Sequence, residues 1–326
     1  MINNIPKNHH EYSLYKINYK NTYSKFKLNE LHDDFLINFL IHLSDGSVIT
    51  IKGNSLYQWN SFTFTKRVKK YKDQLDIKHI IEIANSESKN ILLAYSTANI
   101  LKILCLSTLD IIHSFDNHEW EITSILNIPP NKVITSSNDN TIKMFDYITG
   151  DYLLNFNAHI WVVNKIIVLY SESNKIASCS TDRSIKVWDI EDEVCSTVLE
   201  GHEDGVTDIC ESEEGKIISV GEDRCIKIWN WKKAYCEYTI ECEDYECSSI
   251  WWIGSQKFMT FGDGSLCIWD YANRKKILVY EMGGGMIKGI SLGKRIVQNN
   301  ILIGVESVYV FWIGQSIELK ATSNIQ

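Results

Sequence analysis

Apolar residues in this chain come in short runs, many alternating with polar positions, and most runs are bounded by Gly, Asn, Asp or Ser. Alternation of this kind predicts strands, because successive side chains of a strand point to opposite faces. Three prolines in 326 residues and an abundance of Ile, Val, Tyr and Thr agree with an all-β chain, and no long helix fits anywhere. Sliding the sequence against itself exposes a repeat. NKVITSSNDNTIKMFDY (131–147), NKIASCSTDRSIKVWDI (174–190) and GKIISVGEDRCIKIWNW (215–231) overlay without gaps. Each reads as an apolar strand, a turn containing Asp, and a second strand ending in an aromatic plus Asp or Asn. QKFMTFGDGSLCIWDYA (256–272) fits the same frame. The aromatic position recurs at Trp59, Phe145, Trp188, Trp229, Trp269 and Phe311, with Leu104 in a degenerate copy, at steps of 45, 41, 43, 41, 40 and 42 residues. A chain of this length would ordinarily split into two cores, and a repeat architecture escapes that limit.

The period, with four short strands to a unit and a terminal Trp-Asp, resembles the WD-repeat β-propeller family over nearly the whole chain. The resemblance rests on Trp188-Asp189, Trp269-Asp270, Trp59-Asn60, Trp229-Asn230 and Gly201-His202, with looser pairs at Asn117-His118 and Ala158-His159. It implies a seven-bladed all-β propeller with four antiparallel strands per blade, closed by a terminal strand. An N-terminal extension (1–30) would precede blades at 31–72, 73–115, 116–156, 157–199, 200–240, 241–281 and 282–326. Blades one, two and seven depart from the pattern, lacking the Gly-His pair and the turn Asp. An open ring would leave unpaired sheet edges. Two segments are candidates for closing it: 11–20, where Tyr15, Ile17 and Tyr19 alternate with polar residues, and 316–322.

His159, Ser178 and Asp182 have the makings of a nucleophilic triad. The trio recurs, however, as His202, Ser219 and Asp223 and as His118, Thr135 and Asp139, with the hydroxyl four residues before the Asp and the aromatic six after it. No enzyme needs its active site at a fixed period, and no strained Gly-x-Ser-x-Gly turn accompanies the serines. The resemblance implies instead a hydrogen-bonded chain, His–Asp on one side and His–hydroxyl–indole on the other, complete at Trp188 and Trp229 and shortened at Phe145. It further implies outward-facing contact positions at Glu121, Thr123, Asn138, Val162, Asn164, Thr181, Gly205, Thr207 and Glu222. Trp120 and Trp161 fall in the same loops, and tryptophans beside acidic groups suit an interface.

The net charge of −8 is polarised: residues 1–80 carry twelve Lys/Arg against seven Asp/Glu, and residues 81–326 carry twenty-one against thirty-four. A general nucleic-acid binder needs clustered cations. The one dense basic run is Lys66, Arg67, Lys69, Lys70 and Lys72, placed by the repeat on an outer strand. There it serves either as a docking surface for RNA or an acidic partner, or as charge protection of an edge. Cys236, Cys242 and Cys247 match no zinc spacing and read as strand packing, and His9-His10 carries no specific chemistry. No cofactor or metal is expected. No apolar run is long enough to span a bilayer, the first ten residues lack a signal-peptide core, and no Asn-x-Ser/Thr acceptor occurs, so a cytoplasmic or nuclear location is expected. Phe-Arg-Arg-Gly, the mark of phosphoinositide-binding propellers, and the Trp-Asp-x-Arg of ubiquitin-ligase adaptors are both absent. The expected function is a non-enzymatic scaffold or adaptor within a multi-subunit complex, binding proteins and no small-molecule substrate. The alternative is a subunit of a ribonucleoprotein assembly docking by the basic strand.

Overall fold

Turns of a few residues leave consecutive runs no choice but to pair with their neighbours as antiparallel hairpins. In the computed structural model Ser178 stands opposite Lys186, Ser219 opposite Lys227 and Thr135 opposite Lys143. The structure describes residues 11–18, 22–27, 39–60, 67–83, 90–172, 174–242, 246–262, 265–281, 286–292, 295–298, 301–305, 308–314 and 320–321, with side chains described only between Ile41 and Val279. Among the described residues every regular element is a strand and none is a helix. They form six sheets of four antiparallel strands, one sheet of five and a two-stranded hairpin.

Six of the sheets are built from consecutive hairpins, within 39–72, 79–115, 122–157, 163–199, 206–241 and 249–281; they are called sheets one to six. Sheet six carries its fifth strand on the outer edge, where Tyr280 faces Ala321. The seventh sheet draws on both ends of the chain, in the order Met286–Leu292, Val308–Gly314, Glu11–Asn18, Thr22–Lys27. The two segments weighed as closing strands therefore lie in different sheets: Leu14 pairs with Phe311, and Lys320 with Glu281. His9 and His10 lie outside the described residues.

The core lies between sheets rather than within one. Leu169, Ala177, Cys179, Ile185, Val187 and Leu199 of sheet four pack on Val206, Ile209, Ile217, Trp229 and Trp231 of sheet five. Equivalent clusters join sheets one and two, two and three, three and four, and five and six. In each the residue at the repeat's aromatic position, Leu104 in sheet two, turns back onto the preceding sheet, as Trp188 does onto Met144 and Phe156. The innermost strands are also stitched by polar groups. Asn164 Nδ2 donates to Val206 O at 2.7 Å, Thr207 Oγ1 to Cys247 O at 3.3 Å, and Thr123 Oγ1 to Val163 O. Asp208 pairs with Lys165 of sheet four at 2.7 Å and accepts the Ile250 N–H of sheet six at 3.1 Å. Burial alone would lower the Lys165 pKa, but Asp208 outweighs it and raises the value.

Candidate protein-binding face

The tight turn between the second and third strands of sheet four places Arg183, the fourth residue of the turn that starts at Ser180, in the left-handed region (φ 73°). Asn140 (φ 68°) and Arg224 (φ 59°) do the same in sheets three and five. Non-glycine residues hold that conformation only where the surroundings fix it. The fixing group is the preceding Asp. Asp182 Oδ1 accepts the Ser184 N–H at 3.0 Å and the Ser184 hydroxyl at 2.6 Å; its Oδ2 accepts the Ile160 N–H at 3.1 Å and faces His159 Nδ1 at 2.8 Å. From His159 the chain continues inward: Nε2 to Ser178 Oγ at 2.8 Å, and the Trp188 indole N–H to that same oxygen at 2.8 Å. One arrangement of the protons satisfies every group in the chain. The indole donates to Ser178, whose O–H donates to Nε2, and Nδ1–H donates to Asp182, so the imidazole is neutral. Burial agrees: it pushes the His159 and His202 pKa down despite the adjacent carboxylates. Burial pushes Asp182 and Asp139 up, yet the hydrogen bonds they accept outweigh it and hold both far below the usual carboxylate range.

His202, Ser219, Asp223 and Trp229 repeat this geometry, with Nε2 to Ser219 Oγ at 2.7 Å and the indole at 2.8 Å. His118 reaches Asp139 and Thr135 at 2.7 Å each, and Phe145 ends the chain there. Ser178 and Ser219 are wholly buried and already bonded to an indole and an imidazole, so neither presents a nucleophile to solvent. Ser184 and Thr141, which clamp the Asp from two residues downstream, were not singled out in the sequence.

These buried chains fasten the loops that enter sheets three and four. Ser137 Oγ donates to Trp120 O at 2.9 Å and Ser180 Oγ to Trp161 O at 3.2 Å. The Asn138 N–H reaches Glu121 O at 2.9 Å, and the Thr181 N–H reaches Val162 O at 3.1 Å. Asn140 Nδ2 links the sheet-three turn to Ile160 O at 3.2 Å, joining the two loops. The loop backbones are fixed and their side chains are not covered: Trp120, Ile160 and Trp161 are 65%, 77% and 62% exposed. Thr181 and Glu222 are exposed beside them, while Asn138, Val162 and Glu121 are half-buried, Glu121 lying 3.4 Å from Lys78. Thr123, Asn164 and Thr207 are likewise half-buried, with their polar atoms engaged in the stitches between sheets.

A family model for the WD domain, G-beta repeat, matches 109–146, 150–189 and 193–230. The chain carries WD40 repeats. Each matched segment starts on the outer edge of one sheet and ends on the aromatic pair of the next, at Phe145-Asp146, Trp188-Asp189 and Trp229-Asn230, so a WD40 repeat in sequence straddles two sheets. Among curated relatives, the chain is 32% identical to Cell division control protein 4 of Saccharomyces cerevisiae over 92 residues, 27% of this chain and 11% of that protein. It is 28% identical to the WD repeat domain-containing protein 83 homolog of Dictyostelium discoideum over 120 residues, 36% of this chain and 37% of that one. WD repeat-containing protein 37 of Homo sapiens is 30% identical over 97 residues, 29% and 19% of the two chains. The chain thus spans well under half the length of these relatives.

Outside the matched WD40 repeats the network persists in altered form. Trp59 Nε1 donates to Thr50 Oγ1 and Trp269 Nε1 to Thr260 Oγ1, both at 2.8 Å. In sheet two the repeat aromatic is Leu104, and Tyr95 takes the hydroxyl's place. Its OH donates to Asp73 at 2.5 Å, with Lys102 Nζ at 2.8 Å from the same carboxylate. The Asp of a WD40 Trp-Asp pair works at the far end of its sheet: Asp189 Oδ1 accepts the N–H groups of Glu191 and Asp192 at 3.0 and 3.1 Å.

The basic strand of sheet one is less open than its composition suggests. Lys69 Nζ caps the carbonyls of Leu106 and Ser107 at 2.7 and 2.5 Å, and Arg67 and Lys70 lie 5.8 and 5.4 Å from the centre of the Tyr57 ring. Lys72 is exposed, and Lys66 lies outside the described residues. Among the described residues no group of three or more His, Cys, Asp or Glu is placed to hold a metal ion, and no helix is long and apolar enough to cross a membrane.

Proposed function

We propose that this chain is a non-enzymatic adaptor that docks a partner protein on the loops carrying Trp120, Ile160 and Trp161. One observation carries the reading: three large apolar side chains stand more than half exposed on backbone that buried hydrogen-bond networks hold rigid. Scattered apolar residues on a surface mean little, but a cluster on adjoining loops marks an interaction site. Rigid loops lose little freedom on binding, which favours affinity. Glu119, Glu203, Asp204 and Glu222 are exposed on the same set of loops and turns against Arg183 and Arg224. Such a rim favours a partner segment that is apolar with basic flanks. The basic strand supports the ribonucleoprotein alternative less well, since its Lys69 is engaged within the molecule.

The test is affinity purification from the native cell with the wild-type chain, the double variant Trp120→Ala/Trp161→Ala, and Arg67→Ala/Lys70→Ala/Lys72→Ala. The reading expects the tryptophan variant to keep its melting temperature and lose its stoichiometric partner protein at least tenfold. Retention of every partner by that variant, with RNase-sensitive loss in the basic variant, would establish the ribonucleoprotein alternative instead. The same proposal takes the seven sheets as one closed ring with blades near 31–72, 73–115, 116–156, 157–199, 200–240, 241–281 and 282–326, joined through 11–18. Deleting residues 1–20 should then lower the melting temperature sharply, and an unchanged melt would place the closure elsewhere.

A further inference from the structure

The loops into sheets four and six start from equivalent anchors. The Ala158 N–H bonds Asn140 O at 3.2 Å and the Cys242 N–H bonds Arg224 O at 2.8 Å, each a carbonyl one residue past the turn Asp of the preceding sheet. At the other end Val163, Val206 and Cys247 each offer a carbonyl to the stitching side chain of the preceding sheet. The interval is five residues in every case: 158 to 163, 201 to 206, 242 to 247. Where sheets four and five have His159 and His202, the sequence has Glu243, which lies outside the described residues, so this loop brings no imidazole for a His–Asp clamp. In its place stand two thiols. Cys242 and Cys247 occupy the two ends of the interval, where the other copies have Ala158 and Val163 or Gly201 and Val206, and their sulfurs are 3.7 Å apart.

Both cysteines are buried, Cys242 at 3% and Cys247 at 0% exposure, and both backbones are held by sheet five, Cys242 through its N–H to Arg224 O and Cys247 through its carbonyl from the Thr207 hydroxyl. Cys247 is also pressed against sheet six, where a Cβ on Gly262 would fall 1.5 Å from Glu246 O and 3.0 Å from the Cys247 Cα, and where the Ser248 N–H bonds Phe261 O at 2.8 Å. The Cys236 thiol donates to Tyr238 O at 3.2 Å. A disulfide has a sulfur separation of about 2.05 Å, so the two sulfurs need to draw together by about 1.7 Å.

We propose that Cys242 and Cys247 are a thiol–disulfide modification site, oxidised by hydrogen peroxide, whose bond stands in covalently for the His–Asp clamp of sheets four and five. The Cys242 thiol, the more accessible of the two, gives up its proton and attacks one peroxide oxygen; the O–O bond breaks, the departing hydroxide takes up that proton and leaves as water, and a sulfenic acid remains. The Cys247 sulfur then attacks that sulfur, the S–O bond breaks, the S–S bond forms and a second water leaves. Two thiols lose two electrons, and one peroxide gains them.

The full chain is treated with hydrogen peroxide, alkylated, digested and read by mass spectrometry, alongside Cys236→Ser, Cys247→Ala and Cys242→Ala/Cys247→Ala. Residues 242 and 247 should lose alkylation together, appear as a linked pair and recover with dithiothreitol. Cys236→Ser should behave identically, and Cys247→Ala should leave a dimedone-reactive sulfenic acid at 242. Oxidation should raise the melting temperature of the wild-type chain by roughly 2–5 °C, as expected for closure of a short loop, and should not shift the double variant. The proposal fails if both thiols remain alkylatable while the exposed Cys195 is oxidised, if the link forms to Cys236, or if the thermal shift survives in the double variant.

Discussion

Sheets two and four fasten the same joint with opposite parts. In sheet four the incoming loop brings a base, His159, and the turn brings the acid, Asp182; a serine on the second strand links them to an indole. In sheet two the incoming loop brings the acid, Asp73, and the strands bring Tyr95 and Lys102. Tyr95 and Ser178 hold corresponding places, each two residues short of facing the repeat's aromatic position across the hairpin, since Tyr95 pairs with Lys102 and Ser178 with Lys186. What is kept between the two is a fully bonded polar cluster under the loop, not a residue type. The physical reason is that a buried polar group costs about 1–3 kcal/mol when left without a partner, whichever group it is.

The two solutions differ in how much charge they bury, and that gives the largest expected effect. Asp73→Ala leaves the Lys102 ammonium, only 14% exposed, without its carboxylate and should cost about 3–5 kcal/mol. Asp182→Ala strands neutral donors instead, the His159 Nδ1–H, the Ser184 hydroxyl and the Ile160 N–H, and should cost about 2–4 kcal/mol. Chemical denaturation of both variants measures the order. If Asp182→Ala is the more damaging, the imidazole carries a charge and the neutral relay is wrong.

Next in size is the response to acid, whose sign follows from the direction of the shifts. His159 and His202 are depressed by burial, as is His79, held to about 4, so below about pH 6.5 the unfolded chain takes up protons that the folded chain refuses. Stability therefore falls as pH drops from about 6.5. Asp73, Asp139 and Asp182 are depressed too, because their donors outweigh burial, and they add a second loss as pH falls through about 4. A melting temperature that holds flat from pH 7 to pH 5 would overturn the depressed imidazoles.

Sheets three to five were legible in the sequence because their turns have equal length, which keeps hydroxyl and aromatic ten residues apart at 135 and 145, 178 and 188, 219 and 229. Thr50 with Trp59 and Thr260 with Trp269 escaped notice for want of one residue. Their turns are shorter, the spacing is nine, and yet the aromatic still lies two positions past the hydroxyl's cross-strand partner, Tyr57 or Cys267. Sheet two was hidden more deeply, since a change of residue type at every network position leaves no pattern to overlay. The exposure of Trp120 and Trp161 was equally beyond reach, because a loop has no periodicity to say which way a ring turns. Composition leaves the basic strand open between docking and edge protection, since nothing in the order of residues tells an engaged Lys69 from an open one. The shortened networks offer a modest test: Thr50→Val and Thr260→Val each remove one acceptor from a buried indole and should cost about 1 kcal/mol, and no cost at either site would make those contacts incidental.

The smallest expected effect is a gain. Sheets three and four hold the turn Asp with a hydroxyl two residues downstream, Thr141 or Ser184, whereas sheet five has Cys225 there. The Cys225 N–H still reaches Asp223 Oδ1 at 3.1 Å, as the Ser184 N–H reaches Asp182 Oδ1 at 3.0 Å. Only the side-chain donor differs. With that donor missing, His202 Nδ1 lies close to both Asp223 oxygens, at 3.0 and 2.8 Å, while His159 contacts only the outer oxygen of Asp182. Cys225→Ser should supply the absent hydroxyl, let His202 settle on Oδ2, and stabilise the protein by about 0.5–1.5 kcal/mol, the worth of one hydrogen bond to a part-buried acceptor. The reverse change, Ser184→Cys, should cost a similar amount in sheet four. If the two changes fail to mirror one another, with Cys225→Ser neutral or destabilising while Ser184→Cys is costly, the turns of sheets four and five are not equivalent clamps and the likeness between them stops at the His–Asp bond.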